Sequence, residues 1–92
     1  MKITLSQRAC PSDDVLFQEV GGEAVLLSLA SESYFGLDPV GTRIWQLLGE
    51  DPSLQRTLEL LQDEYDVDRP RLQADLLTLV EALAEAGLVR VE

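Results

Sequence analysis

The chain has 92 residues, 46% hydrophobic and 26% charged, with 17 acidic side chains against 7 basic ones and a net charge of −10. That length, 1–92, reads as one small domain, which buries roughly 60–65% of its unfolded surface. The acidity argues against duplex nucleic acid and anionic membranes, which need clustered cations, because Lys2, Arg8, Arg43, Arg56, Arg69, Arg71 and Arg90 are scattered.

In chain order, Ile3 and Leu5 alternate with polar residues and read as a short first strand. This N-terminal run lacks the apolar core of a signal peptide. Pro11-Ser12-Asp13-Asp14 reads as a turn. Val15 to Val20 is a strand with Val15, Phe17 and Glu19 on one face, and Gly21-Gly22 is a tight hairpin turn that uses glycine's freedom at positive φ. Ala24-Val25-Leu26-Leu27-Ser28-Leu29 is nearly all apolar, which predicts a central strand. Ala30 to Ser33 turns the chain again, and Tyr34 to Leu37 completes a three-stranded meander.

The join between sheet and helices is the most informative segment. Asp38 is placed to cap a helix, since its carboxylate accepts from free N–H groups of the first turn. Pro39 follows at the first helical position, where its missing N–H costs nothing. Val40, Ile44, Leu47 and Leu48 recur at helical spacing, and Trp45 reads as a brace for this helix. The helix is predicted to stop at Gly49.

Asp51-Pro52-Ser53 restarts the chain, and Leu54, Leu58, Leu61 and Tyr65 form one narrow stripe of a second helix. Asp66 to Pro70 opens a third, predicted to run to Ala86 and end at Gly87, with Leu88 to Val91 as a short extended tail. The order, three strands and then three helices, makes an α+β domain. On the third helix Leu72, Leu76, Leu77, Leu79, Val80, Leu83, Ala84 and Ala86 span about half the circumference, wider than the stripe of about 100° that a core-lining helix needs. Two outcomes stay open: the rest of the domain covers this arc, or part of it faces a ligand.

Catalytic chemistry has little to work with. The chain has no histidine and one cysteine, Cys10, so Cys/His zinc sites and histidine-based nucleophilic machinery are excluded. Cys10 cannot form an internal disulfide and reads as a small apolar residue. Gly21-Gly22 lacks the pattern of a phosphate loop. The adjacent carboxylates Asp13/Asp14, Glu50/Asp51 and Asp63/Glu64 read as solvated charges, and the run around Asp63, Glu64, Asp66 and Asp68 lacks the glycine and distal glutamate of a calcium loop. No catalytic residue, metal or cofactor is expected. With no apolar run long enough to cross a bilayer, a cytoplasmic setting is the expectation.

The segment Gly22 to Leu29 followed by Tyr34-Phe35-Gly36-Leu37-Asp38-Pro39-Val40-Gly41-Thr42-Arg43-Ile44-Trp45-Gln46-Leu47-Leu48 resembles the coenzyme PQQ synthesis protein D (PqqD) family. Tyr65-Asp66-Val67-Asp68, Asp75, Leu79, Leu83 and Ala86-Gly87-Leu88 extend the likeness over nearly the whole chain. Asp38 departs from it, since the family often has asparagine there, but both residues cap helices. The opening Met1-Lys2 to Leu5-Ser6-Gln7 is similar to stand-alone members found with lasso-peptide biosynthesis.

The resemblance implies a winged helix-turn-helix-like recognition element. It would bind the leader of a ribosomally made precursor peptide and present it to a leader peptidase, with a cyclase acting afterwards. It implies that the leader adds as a strand to the third strand of the meander, against the third helix. An edge strand offers unpaired N–H and C=O groups, and strand addition puts alternate peptide side chains into pockets. The residues indicated are Val25 and Leu27 of the central strand, then Tyr34, Phe35, Gly36 and Leu37 of the edge. Leu72, Asp75, Leu76 and Leu79 of the third helix form the opposite wall. Two other readings compete: a winged-helix nucleic-acid-binding regulator, against which the charge speaks, and a structural subunit without its own ligand.

Overall fold

Gly21 and Gly22 have φ of 63° and 85°, the left-handed pair that a type I′ hairpin turn demands. They join β2 (Val15–Val20) to β3 (Glu23–Ser28) in antiparallel register, Val20 opposite Glu23 and Val15 opposite Ser28. In this computed structural model, which describes residues 3–92, β4 (Ser33–Leu37) pairs with the other side of β3, Ala24 opposite Leu37 and Ser28 opposite Ser33. The sheet order is β2-β3-β4, with the apolar strand in the centre as expected.

Three helices follow: α1 (Pro39–Glu50), α2 (Leu54–Glu64) and α3 (Arg69–Glu85). Asp38 caps α1 by accepting from the Gly41 N–H at 2.7 Å. Ser53 caps α2 by accepting from the Arg56 N–H at 3.2 Å. α3 is capped by Ala86 and followed by Gly87 at φ 76°, where the Leu88 N–H donates to the Leu83 carbonyl and the Gly87 N–H to that of Ala84. This Schellman arrangement satisfies carbonyls that the helix end leaves over. It also turns Leu88 into the core, where it is 1% exposed.

Ala24, Leu26 and Leu37 from the inner face of the sheet pack with Ile44, Leu47 and Leu48 of α1, Leu54, Leu58 and Leu61 of α2, and Leu72, Leu76, Val80 and Leu83 of α3. Each leucine or isoleucine buried this way stabilises the fold by about 1.5–3 kcal/mol. Trp45 joins the same core from α1.

Three expectations are corrected. Ile3 and Leu5 lie in a loop and turn, not a strand; Ile3 is nevertheless buried against the core. The first strand is β1 (Ala9–Pro11), which takes Pro11 out of the expected turn and pairs with β5 (Val89–Val91), the segment read as a tail. This small ribbon is tied to the α1–α2 connection by the Ala9 N–H donating to the Pro52 carbonyl at 2.9 Å. Finally, α1 runs past Gly49 to Glu50. Pro52 biases Asp51 toward extended backbone, and Asp51 sits at φ −148° and ψ 113° as the cap. Met1 and Lys2, part of the N-terminal likeness to stand-alone family members, lie outside the described residues.

Candidate functional site

The hairpin fixes which backbone groups of β4 are free. A two-residue loop closes on a hydrogen-bonded pair, here Val20 with Glu23, and such pairs recur at every second residue. The backbone groups of Ala24, Leu26 and Ser28 therefore turn toward β4, where Leu37, Phe35 and Ser33 stand opposite them. Tyr34 and Gly36 point their N–H and C=O groups the other way, out of the open edge of the sheet. Gly36 has open space around the position of a Cβ, so a second backbone can approach it closely.

Beneath this edge lies a cleft of about 660 Å³ between β4, the start of α1 and one flank of α3. Phe35 and Leu37 form its sheet side, Val40, Gly41 and Ile44 its floor, and Arg71, Asp75, Thr78 and Leu79 its helix side. The four helix residues follow spacing of four, three and one, which puts them on one flank. That settles which side of α3 adjoins the edge: the Asp75 side, while Leu77 lines a separate shallow depression with Arg69 and Gln73. The ion pairs among the described residues are Arg43–Glu64, Arg56–Glu59 and Arg90–Glu92, so Arg71 and Asp75 face the cleft without a charged partner there.

The residues indicated by sequence divide into three groups. Phe35, Gly36, Leu37, Asp75 and Leu79 line the cleft. Leu72 and Leu76 are 4% and 0% exposed and face the core instead; the wheel showed that α3 was apolar over a wide arc but not where the core ended. Val25, Leu27 and Tyr34 lie on the outer face of the sheet, away from the cleft, although the Tyr34 backbone belongs to the open edge. Arg71, Thr78, Val40 and Gly41 were missed. The signal available was the polar flank of α3, Arg71-Asp75-Thr78, one helical step beside its apolar arc.

The scaffold around the cleft is braced by charge. Arg43 of α1 grips Glu64 of α2 through Nε to Oε1 at 2.7 Å and through a second nitrogen to Oε2 at 2.8 Å. The hydrogen bond to Arg43 holds the Glu64 carboxyl below its ordinary value, and the same contact raises the guanidinium. Arg43 also donates to the Gln46 side chain, which donates to Glu19 of β2 at 3.1 Å. The chain of contacts ties α2, α1 and the sheet together behind the cleft. Among the described residues no cluster of three His, Cys, Asp or Glu could hold a metal, and no helix is long and apolar enough to cross a membrane. An open backbone edge stands over a cleft of mixed polar and apolar lining, with Arg71, Asp75 and the capping Asp38 at its walls, a geometry that suits an extended chain.

Known proteins agree on the family. The model for coenzyme PQQ synthesis protein D (PqqD) matches residues 23–89. The solved structure of "TbiB1 in Complex with the TbiA(beta) Leader Peptide" is similar at 41% identity and a TM-score of 0.82, covering 88% of this chain and 94% of that one. That of "Lasso peptide synthetase B1 complexed with the leader peptide" is similar at 25% identity and a TM-score of 0.79, covering 90% and 98%. No curated protein matches the chain. With the family match spanning most of the sequence and the same fold in both neighbours, this chain belongs to the PqqD family.

Proposed function

We propose that this protein binds the leader segment of a ribosomally synthesised precursor peptide and presents it to a separate processing enzyme, without catalysis of its own. The observation that carries the reading is the open edge of β4 above the cleft. Both structural neighbours were solved with leader peptides bound, which supports it independently.

In this reading the leader adds to β4 as a fourth strand. Its backbone bonds to Tyr34 and Gly36, and the side chain opposite Phe35 descends into the cleft. There it meets Phe35, Val40 and Leu79, while Arg71 and Asp75 take polar or charged groups of neighbouring residues. Main-chain bonds supply affinity and the cleft supplies selectivity. The processing enzyme is a leader peptidase, a cyclase acts afterwards, and the complex forms in the cytoplasm.

The test is fluorescence anisotropy of a labelled leader peptide of the kind bound in the two neighbours, titrated with purified protein. Saturable binding in the micromolar range or tighter, retained at moderate salt, is expected. A folded protein that leaves the peptide free at tens of micromolar overturns the reading.

A further inference from the structure

The open strand β4 reads Ser-Tyr-Phe-Gly-Leu. It carries neither charge nor proline, the side chains with which proteins commonly blunt an exposed edge. A carboxylate stands immediately beyond each end: Glu32 three residues before Phe35 and Asp38 three residues after it.

Local structure accounts for neither charge. Glu32 is exposed at φ 55°, a left-handed conformation that glycine, asparagine and aspartate adopt at lower cost. It belongs to none of the ion pairs among the described residues. Asp38 caps α1 by accepting from the Gly41 N–H, but an asparagine oxygen caps as well. The cap needs the acceptor and not the charge.

Both carboxylates lie where a fourth strand would meet them. Tyr34 and Gly36 point their backbone groups out of the edge, and positions 32 and 38 continue that alternation at steps of two residues. Residues directly opposite in an antiparallel strand pair have Cα atoms about 4.5–5.5 Å apart, close enough for opposite charges to stabilise the pair and like charges to destabilise it. Glu32 and Asp38 are six residues apart, so the residues facing them on an added strand are six apart as well, whichever way the strand runs. The helix wall of the cleft does not offset this field, since Arg71 and Asp75 contribute one charge of each sign.

The chain itself is the strand this arrangement suits least. Two copies related by a twofold axis through Phe35 would exchange bonds between Tyr34 and Gly36, using all the outward groups of the strand. The same pairing would set Glu32 of each copy against Asp38 of the other, acid opposite acid at both ends.

We infer that Glu32 and Asp38 form a charge gate on the open edge. It selects an incoming strand that carries lysine or arginine at two positions six residues apart, and it rejects strands that are acidic there, a second copy of this chain among them. This rests on the reading that a peptide adds to β4.

The test starts from the TbiA(beta) leader peptide, bound in the neighbour of 41% identity. Its positions are substituted in pairs six apart, to lysine or to glutamate, and each peptide is titrated with wild type and with the double variant Glu32→Asn, Asp38→Asn. Asparagine keeps the cap and accepts the left-handed turn, so the double variant should fold. On wild type at low salt, one such pair should bind at least fivefold tighter as lysine than as glutamate, and the difference should shrink as salt rises. On the double variant the same two peptides should bind within twofold of each other. Glu32→Lys, a single change in an exposed turn, should reverse the preference at one end only. Charge-blind binding by wild type, or the same preference in wild type and double variant, overturns the inference. So does a wild type that forms a dimer in sedimentation which leader returns to monomer. Failure of every peptide to bind folded wild type defeats the peptide-binding reading and the gate with it, whereas binding without charge preference leaves that reading standing and removes only the gate.

Discussion

Gly41 of α1 faces Leu79 of α3 across the floor of the cleft. A Cβ on Gly41 would lie 3.5 Å from Leu79 Cδ2, 3.3 Å from Leu37 Cδ2 and 3.1 Å from Asp38 Oδ1. The absent side chain keeps the floor of the cleft open and lets the Asp38 carboxylate reach the Gly41 N–H. Gly41→Ala gains about 1 kcal/mol of helix propensity and strains a cap worth about the same. Thermal melts should therefore show a net stability change within about 1 kcal/mol. Leader affinity should fall several-fold, because Leu37 and Leu79 are both pushed. Unchanged affinity in anisotropy titrations would remove the floor of the cleft from the site.

The register makes a sharp distinction between neighbouring residues of β4. Gly36 aims its N–H outward, so Gly36→Pro removes no ladder bond, and proline is tolerated on edge strands with that orientation. It should leave the fold within about 1 kcal/mol of wild type while lowering leader affinity at least tenfold. Phe35→Pro removes a bond to β3 and leaves a carbonyl without its partner, which should cost about 1–3 kcal/mol before the lost ring is counted. Amide exchange gives a second readout: Tyr34 and Gly36 should exchange fast in the free protein and become protected when leader is added. Protection of both amides without peptide would mean that the register assigned to the open edge is wrong.

What could be read from sequence followed from how local each signal was. The hairpin, the central strand and the cap at Asp38 each rest on a few adjacent residues with one dominant physical cause, and all three stand in the structure. The β1–β5 ribbon did not show. Three-residue strands carry no periodicity, and Ala9 finds its partner in Val91, at the far end of the chain. Gly49 misled because a glycine can end a helix or be carried within its last turn, and here the stop belongs to Asp51 and Pro52. On α3 the apolar arc was legible but not its division. Leu76 and Leu79 look alike on a helical wheel, and only packing separates the first, in the core, from the second, in the cleft.

That separation predicts opposite behaviour for two chemically identical changes. Leu76→Ala empties a fully buried site and should cost about 2–5 kcal/mol of stability, with leader affinity near wild type in the fraction that remains folded. Leu79→Ala trims a partly buried side chain and should cost about 1 kcal/mol, below the range for a fully buried leucine, while weakening leader binding about tenfold. Urea unfolding and anisotropy on the same samples decide it. If both variants lose stability equally and bind equally well, Leu79 is a core residue.

The Arg43–Glu64 pair gives the fold a pH signature whose sign is fixed. Glu64 is held below its ordinary value of 4.5 by the hydrogen bond to Arg43, so its contribution is fully present above that pH. It is lost as pH falls below it, when the folded state must also take up the proton. The raised Arg43 would lose its share only in strong alkali, so the acid limb is the one to measure. The two side chains are 36% and 35% exposed, and solvent screening holds the pair to about 0.5–1 kcal/mol. Glu64→Gln should therefore be less stable than wild type by about that amount at pH 7, with the gap closing as pH falls below 4.5. Salt should narrow the pH 7 gap as well, because the pair is partly exposed. A gap independent of both pH and salt would mean that the contact stabilises by packing of the guanidinium against α2, not by charge.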